Sequence, residues 1–178
     1  MRHGETDWNR RQLVQGHEDQ SRLTDEGRQH VGNVASSLAD ESFTLIVASD
    51  LRRAQESAAI AATILGVAVV SSALLRERNF GPFEGGPRSA LTPEVTGIRD
   101  DVVVDTTARP QGGETLDEMA QRGRVFLKLV VEKWPDENLL VVTHGGTIRV
   151  LEAVARRTSL VGSPWGKVDN CSLWRISP

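Results

Sequence analysis

The sequence predicts an α/β protein, folded as a single three-layer α/β/α domain around a mostly parallel central sheet. First, 178 residues suit one domain with a sizeable buried core. Second, short β-rich runs alternate with helical patterns, which is typical of βα units and a parallel sheet. Third, residues 44–49 and 139–144 are dominated by apolar side chains, as expected of strands covered on both faces.

The remaining elements follow from local patterns. Thr24 is a suitable N-cap for the first helix. Apolar residues at helical spacing predict further helices at 51–65, 116–134 and 146–157. Weaker strands are predicted at 67–70 and 172–176.

Residues 81–113 interrupt this alternation. Prolines, glycines and mixed charges replace the regular pattern there. This composition predicts a loop-rich insertion, of the kind that forms lids over sites, within a single domain spanning residues 1–178.

Composition and charge narrow the function classes. The net charge of −3 argues against a nucleic-acid or anionic-membrane binder, which would be basic. The uncharged segment 57–75 is as long as a membrane span, but its serines and central Gly66 indicate a helix, a turn and a strand. The single cysteine, Cys171, excludes an internal disulfide and a zinc site built on several thiolates, and a reducing cytoplasm is the simplest compartment.

Two histidines stand where a ligand site is expected. His144 follows a predicted strand and precedes two glycines and a helix, and His3 lies in a similar His-Gly turn. Arg52 and Arg53 follow the strand at 44–49. Because ligands of open α/β sheets bind beyond the carboxyl ends of the strands, these side chains could meet at one edge of the sheet.

Histidines and arginines together suit phosphoryl transfer. A neutral imidazole can attack phosphorus, and arginine forks match the equatorial oxygens of a phosphoryl group. Neighbouring cations favour the neutral imidazole, and a carboxylic acid can protonate the leaving oxygen. For each histidine taken alone, a structural role remains the alternative. A metal site is disfavoured, because arginines beside the histidines would repel a cation.

Four segments of the sequence match, in order, the motifs of one known family. They are RHGETDWN (2–9), SDLRRAQESA (49–58), LRERNFGPFEG (75–85) and VTHGG (142–146), with a weaker match at PQGGET before the long helix. The chain therefore resembles the histidine phosphatase superfamily, also called the phosphoglycerate-mutase-like family, over nearly its whole length. The resemblance implies the fold predicted above and an enzyme that needs neither a metal nor an organic cofactor.

The resemblance also implies a role for each matching residue. His3 would be the nucleophile that becomes phosphorylated, and His144 would stabilise the transferring group. Glu77 would protonate the leaving group and then act as base for the incoming water. The residues implied to bind the phosphoryl oxygens are Arg2, Arg53, Asn9 and the Gly145 backbone amide, with Arg52 outside the pocket.

The family contains both hydrolases and 2,3-bisphosphoglycerate-dependent mutases. Mutases typically carry Glu-Arg-His-Tyr at the acid and His-Gly-Asn at the second histidine, whereas this chain has Asn79-Phe80 and Gly146 at those places and no tyrosine. It is also shorter than such mutases, and no arginine pair for a substrate carboxylate is clear in the insertion. These departures favour the phosphatase branch. A non-catalytic binder of phosphorylated ligands is a further alternative, against which the intact Glu77 argues.

Substrate contacts are expected from the variable insertion and its neighbours. Arg78, Phe80 and Arg22 are the candidate substrate-binding residues, and the same pocket could be lined by Phe83, Arg88 and Arg99. The expected partner is a small phosphorylated metabolite, a sugar phosphate or phosphoglycerate-like compound, and a homodimer is left open. Polar or helical neighbours lead us to interpret the remaining histidines as surface residues; they are His17 and His30.

The start of the chain departs from the family pattern. In the family an apolar strand precedes the RHGET motif, whereas only Met1 precedes Arg2 here. Omitting a central strand would leave buried backbone groups unpaired at about 1–3 kcal/mol each. We therefore expect the natural chain to extend before Met1, which an intact mass of the natural protein would test.

Overall fold

The structure, a computed structural model, describes residues 1–176. The strands of these residues are β1 (Leu45–Ser49), β2 (Ala68–Ser72), β3 (Ile98–Arg99), β4 (Val102–Val103) and β5 (Leu139–Val142). The helices are α1 (Asp7–Arg10), α2 (Asp25–Ser37), α3 (Arg52–Leu65), α4 (Pro93–Thr96), α5 (Leu116–Lys133) and α6 (Gly145–Ala155).

The central sheet is parallel, with the strand order β2-β1-β5. Leu45 of β1 lies opposite Ala68 of β2 on one side and opposite Leu139 of β5 on the other. The two-residue strands β3 and β4 form a separate antiparallel pair. The predicted α/β class with a mostly parallel central sheet is therefore confirmed.

Helices cover both faces of this sheet. Ile46 and Ala48 face α2 and α3, in a cluster that includes Ala54 and Ala58. Val47 points to the opposite face and packs with residues of α5 and α6, Phe126 and Leu151. Side chains of β1 alternate between two buried faces, which explains why this strand is apolar along most of its length. The result is the predicted three-layer α/β/α arrangement.

The helices begin and end where local chemistry allows it. Gly27 N donates to Thr24 Oγ1 at 2.9 Å, so Thr24 caps α2 as predicted. Gly66 ends α3 with φ at 70°, a left-handed conformation that glycine adopts without strain. Thr115 and Glu118 form a capping box at the start of α5. These caps depend on neighbours in sequence, so the helices follow from local patterns.

The predicted strand at 172–176 is wrong. These residues form no strand, although Leu173 and Trp174 have the composition of one. Arg2 N donates to Ser172 O at 3.1 Å and Cys171 N donates to Arg2 O at 3.1 Å, but no ladder continues from this contact within residues 1–176. A β-rich run needs a neighbouring strand to become one, and this run has none in the described residues.

Residues 81–113 contain only short elements. The segment includes single 3₁₀ turns at Gly81–Phe83 and Arg88–Ala90, helix α4, and the β3–β4 hairpin. Asp100 and Asp101 form the tip of that hairpin, both with positive φ. A lid movement of this segment stays a prediction.

The uncharged segment 57–75 is divided as predicted, between the end of α3, the Gly66 turn and β2. Among residues 1–176, no helix has the length and apolar character needed to cross a membrane.

Candidate active site

The sheet brings the two predicted histidines together. His144 follows β5 and is the N-cap residue of α6. Arg2 forms a parallel bridge with Thr143, and His3 N donates to Thr143 O at 2.9 Å. The two imidazole ring centroids lie 5.2 Å apart, and both side chains are buried. Backbone pairing beside β5 therefore joins residues that lie far apart in sequence.

His3 is held in the form that a nucleophile needs. Its Nδ1 lies 2.7 Å from Gly4 O, and because a carbonyl oxygen only accepts, Nδ1 carries the hydrogen. The lone pair is then on Nε2. Burial lowers the pKa of His3 well below its ordinary value of 6.5, and the nearby Arg53 and Arg2 lower it further. The imidazole is neutral near pH 7.

His144 is also neutral, and one of its ring nitrogens has no hydrogen-bond partner in the described residues. Its Nε2 lies 2.8 Å from Ser49 Oγ, whereas its Nδ1 is buried and has no partner within residues 1–176. Burial lowers the pKa of His144 well below 6.5, and the charges of Arg53 and the neighbouring His3 lower it further. A buried Nδ1 without a partner is suited to bond a phosphoryl oxygen.

Two arginines lie beside the histidines, of which Arg53 is buried and Arg2 is half-buried. Arg53 is 1% exposed, and its guanidinium donates to Gly16 O at 2.7 Å and to Glu18 O at 3.2 Å. Burial lowers its pKa to about 10, so it stays charged at neutral pH. Arg2 donates through Nη1 to Val168 O. The Nε atoms of both arginines are buried and unpartnered within the described residues, which leaves two cationic donors for an anion.

The adjacent arginine lies outside this cluster. Arg52 is exposed and pairs with Glu56 of the same helix at 2.8 Å. It is not part of the cavity wall described below. The first turn of α3 therefore directs one arginine inward and the other into solvent.

Glu77 lines a cavity together with Arg2, His3 and Arg53. Its Oε1 accepts from Arg78 N at 2.9 Å, and its Oε2 accepts from Gly146 N at 3.0 Å. Asn9 also lines the cavity, and its Oδ1 accepts from Thr6 N as part of the cap of α1. Gly146, rather than the predicted Gly145, is in the cavity wall, because Gly145 packs against Val168 and the Arg2 side chain.

The cavity that these residues form has a volume of about 500 Å³. Its inner end contains Arg2, His3, Asn9, Arg53 and Glu77. Its outer wall contains mixed side chains that include Leu13, Phe80, Arg88, Arg99, Asp101 and Trp165. A volume of about 300–1,000 Å³ is usual for small-molecule sites.

The three predicted substrate-binding residues have different positions. Phe80 lines the cavity, and the Arg78 guanidinium lies 5.6 Å from its ring centroid. Arg78 is 2% exposed, although it reaches the cavity wall. Arg22 is exposed and lies outside the wall, with its guanidinium on the carbonyl oxygens of neighbouring residues, Asp19, Gln20 and Ser21.

Arg78 acts mainly on the backbone. Its guanidinium donates to Glu114 O at 2.7 Å, Thr96 O at 2.7 Å and Ala108 O at 2.8 Å. Burial lowers its pKa to about 10, and the carboxylate of Glu114 opposes this shift. Two of these carbonyls lie in the 81–113 segment, so Arg78 ties that segment to the backbone next to Glu77.

The interpretation of His17 as a surface residue is wrong. Its ring is half-buried, and its Nε2 lies 2.8 Å from Glu77 O. The polar neighbours of His17 in sequence give no sign of this contact, which forms because the loop after Val14 folds onto the backbone of Glu77. His30 is exposed on α2, as expected.

The buried histidines predict a pH-dependent stability. Both have folded-state pKa values below 6.5, so below that pH the unfolded chain binds more protons than the folded one. We expect the free energy of unfolding to fall as the pH drops from about 6.5, by up to about 1.4 kcal/mol per pH unit for each histidine. Urea unfolding between pH 5 and about 7.5 measures the slope.

Removal of one histidine separates this contribution from those of the carboxylates. His144→Gln should reduce the pH slope by up to about 1.4 kcal/mol per unit. His30→Gln, at an exposed position, should leave the slope unchanged. Equal slopes for wild type and His144→Gln would contradict the prediction.

Comparison with known proteins gives the family. The family profile for the histidine phosphatase superfamily (branch 1) matches residues 1–178. A Yersinia pestis protein named "Probable phosphoglycerate mutase GpmB" is 35% identical over 182 residues, covering 99% of this chain and 82% of that protein.

Two solved structures share the fold. A mycobacterial glucosyl-3-phosphoglycerate phosphatase solved with VO3 superposes with a TM-score of 0.78 at 32% identity, covering 89% of this chain and 79% of that one. An α-ribazole phosphatase from Shigella flexneri has a TM-score of 0.77 at 30% identity, covering 90% and 79%. The parallel sheet with helices on both faces is shared with both of these phosphatase structures. The chain belongs to the histidine phosphatase superfamily.

Proposed function

We propose that this protein is a metal-independent phosphomonoester hydrolase that acts on a small phosphorylated metabolite through a phosphohistidine intermediate. One observation carries the proposal: a neutral His3 with its Nε2 lone pair free lies beside two arginines, Arg2 and Arg53, whose buried Nε atoms have no partner in the described residues. A nucleophile beside arginine donors that have no hydrogen-bond partner is suited to an anionic electrophile, and a phosphate ester is one.

The reaction proceeds in two displacements. His3 Nε2 attacks phosphorus, the nitrogen–phosphorus bond forms, and the ester oxygen leaves with a proton supplied by Glu77. Glu77 then removes a proton from water, whose oxygen attacks phosphorus as the nitrogen–phosphorus bond breaks. Inorganic phosphate is released, His3 is neutral again and Glu77 has recovered its proton. The bond from Nδ1 to Gly4 O stabilises the positive charge that the imidazole acquires in the first step.

Cationic side chains stabilise the transferring group. The guanidinium groups of Arg2 and Arg53 would hold its equatorial oxygens, and His144 would bond another through Nδ1. The carbonyls of Gly16 and Glu18 fix the Arg53 guanidinium before the substrate arrives. A preorganised donor set of this kind needs little rearrangement during the reaction.

Metal independence is part of the proposal. The charges next to the histidines are positive, and a divalent cation would be repelled by them. Among residues 1–176, no group of three or more His, Cys, Asp or Glu side chains is arranged to hold a metal ion.

The substrate class is proposed as a sugar phosphate or phosphoglycerate-like metabolite. The two solved relatives named above are phosphatases of glucosyl-3-phosphoglycerate and of α-ribazole. A cavity of about 500 Å³ has room for the organic part of such a metabolite in addition to its phosphate. Its mixed wall offers apolar contacts and hydrogen bonds, which suits a polar organic group.

A mutase is the second candidate, favoured by the name of the Yersinia pestis relative. Phosphate release from a panel of phosphomonoesters, with a chelator present, should be measured beside interconversion of 3- and 2-phosphoglycerate with 2,3-bisphosphoglycerate. We expect phosphate release without interconversion. Fast interconversion would replace the hydrolase with the mutase, and neither activity would favour a phospho-ligand-binding protein.

The acid can be tested in the same assay. Glu77→Gln keeps one acceptor oxygen, for either Arg78 N or Gly146 N, because its amide nitrogen only donates, and it cannot supply a proton to the leaving oxygen. We expect kcat on an alkyl phosphomonoester to fall about 10²–10⁴-fold, the usual contribution of general acid–base catalysis. Competitive inhibition by inorganic phosphate measures whether the binding site survives. Full activity in Glu77→Gln would remove this residue from the mechanism.

A further inference from the structure

Glu77 is held by hydrogen bonds to both its side-chain carboxylate and its backbone carbonyl. The carboxylate accepts two backbone N–H bonds, from Arg78 and Gly146. The backbone carbonyl accepts two side-chain bonds, from His17 Nε2 at 2.8 Å and Arg122 Nη2 at 3.2 Å. Both lone pairs of this carbonyl are therefore used, and the backbone from which the acid extends is fixed.

His17 is itself held by a second carboxylate. His17 N donates to Glu84 Oε1 at 2.9 Å, and Phe80 N donates to the same oxygen at 2.8 Å. The preceding Gly16 has φ at +51°, and a Cβ there would lie 2.0 Å from Glu84 Oε1. Glycine is thus required where the loop passes over this carboxylate.

The same loop reaches the phosphate-binding arginine. Gly16 O and Glu18 O, on either side of His17, accept from the guanidinium of Arg53. Residues 16–18 therefore contact Arg53 through their carbonyls and Glu77 through the His17 ring. One short loop links the phosphate-binding end of the cavity to the proton donor.

We propose that His17 is a positioning residue for Glu77 and that Glu84 holds His17 in place. The inference rests on the proposed function, in which Glu77 protonates the leaving oxygen. His17 does not line the cavity and acts only through the backbone of Glu77. The loop keeps the acid aligned with a phosphoryl group bound at Arg53.

This role predicts a dependence on the leaving group. An alkoxide leaves only if it is protonated, whereas p-nitrophenolate is stable as an anion and needs little help from an acid. Loss of His17 should therefore slow hydrolysis of benzyl phosphate much more than that of p-nitrophenyl phosphate, two esters of similar size. A residue that only stabilises the fold would slow both alike.

Matched variants separate the hydrogen bond from the volume of the side chain. His17→Met removes the donor at similar volume, and His17→Gln keeps an N–H donor. Glu84→Met removes the acceptor, and Glu84→Gln keeps an Oε1 acceptor for both backbone amides. His30→Met, on an exposed helix face, is the control.

For His17→Met and Glu84→Met we expect kcat/KM, which reports formation of the phosphoenzyme, to fall about tenfold on benzyl phosphate and less than about twofold on p-nitrophenyl phosphate. Both glutamine variants should recover most of the loss. Inhibition by inorganic phosphate should stay within about twofold of wild type, because Arg2, Arg53 and His144 still bind it. His30→Met should match the wild type.

Equal losses on the two esters, or no loss in His17→Met, would overturn the inference. If His17→Met does not fold, the pair Glu84→Met and Glu84→Gln decides by the same ratio of the two esters. Glu77→Gln is run in parallel. If Glu77→Gln does not distinguish the esters, the proposed role of Glu77 fails. If Glu77→Gln distinguishes the two esters but the His17 and Glu84 variants do not, only the positioning role of His17 fails.

Discussion

Replacement of His3 with alanine should reduce phosphate release by at least about 10³-fold, since loss of a catalytic nucleophile typically costs 10³–10⁶ in kcat. His3 is the residue whose Nε2 lone pair is free beside the guanidinium groups of Arg2 and Arg53. Rapid acid-free quenching of the wild type with ³²P-labelled substrate should trap an acid-labile phosphoenzyme that His3→Ala does not form.

Two controls give this result its meaning. His30→Ala, at an exposed position, should retain wild-type turnover. His3→Ala should still bind inorganic phosphate, because the arginines and His144 are intact. A labelled phosphoenzyme in His3→Ala would assign the nucleophile to another residue and overturn the proposed mechanism.

Arg53→Lys should lower kcat/KM for a phosphomonoester about 10²-fold, the usual loss when one preorganised donor to a developing charge is removed. Lysine keeps the positive charge but has no planar fork, so it cannot bond Gly16 O and Glu18 O and also present an Nε donor to the phosphoryl group. The change should appear as weaker inhibition by phosphate together with a lower kcat.

The neighbouring residue is a matched control for this substitution. Arg52 is the preceding residue in the same helix turn but is exposed and paired with Glu56. Arg52→Lys should leave kcat/KM within about twofold, because an exposed pair contributes little. Equal effects of the two substitutions would show that the charge of this turn, and not the geometry of Arg53, matters.

Local patterns in the sequence were sufficient for most elements of the fold. Thr24 and Gly66 mark the start of α2 and the end of α3 by interactions with nearby residues. Strand β1 is recognisable because helices cover both of its faces, which makes it apolar along most of its length. The run at 172–176 has similar composition, but only a partner strand can turn such a run into a strand.

Part of the site could also be predicted from local patterns in the sequence. His144 lies just beyond the end of β5, and Arg53 lies in the first turn of the helix that follows β1, at the edge where a parallel sheet collects ligand-binding groups. The resemblance to a known family supplied Glu77 and Asn9, whose neighbours in sequence carry no such signal, and both line the cavity. Their chemical roles stay predictions that the variants above test.

What the sequence by itself determined is the main strands β1, β2 and β5, the long helices, and the placement of His144 after a strand, since these depend on neighbours along the chain. Tertiary structure alone decided the free nitrogen of His3, the three carbonyls bound by Arg78, and the contact from His17 to Glu77. Each of these joins a side chain to a backbone carbonyl, a group that every residue has. Nothing in the identity of the accepting residue reveals such a bond before the chain has folded.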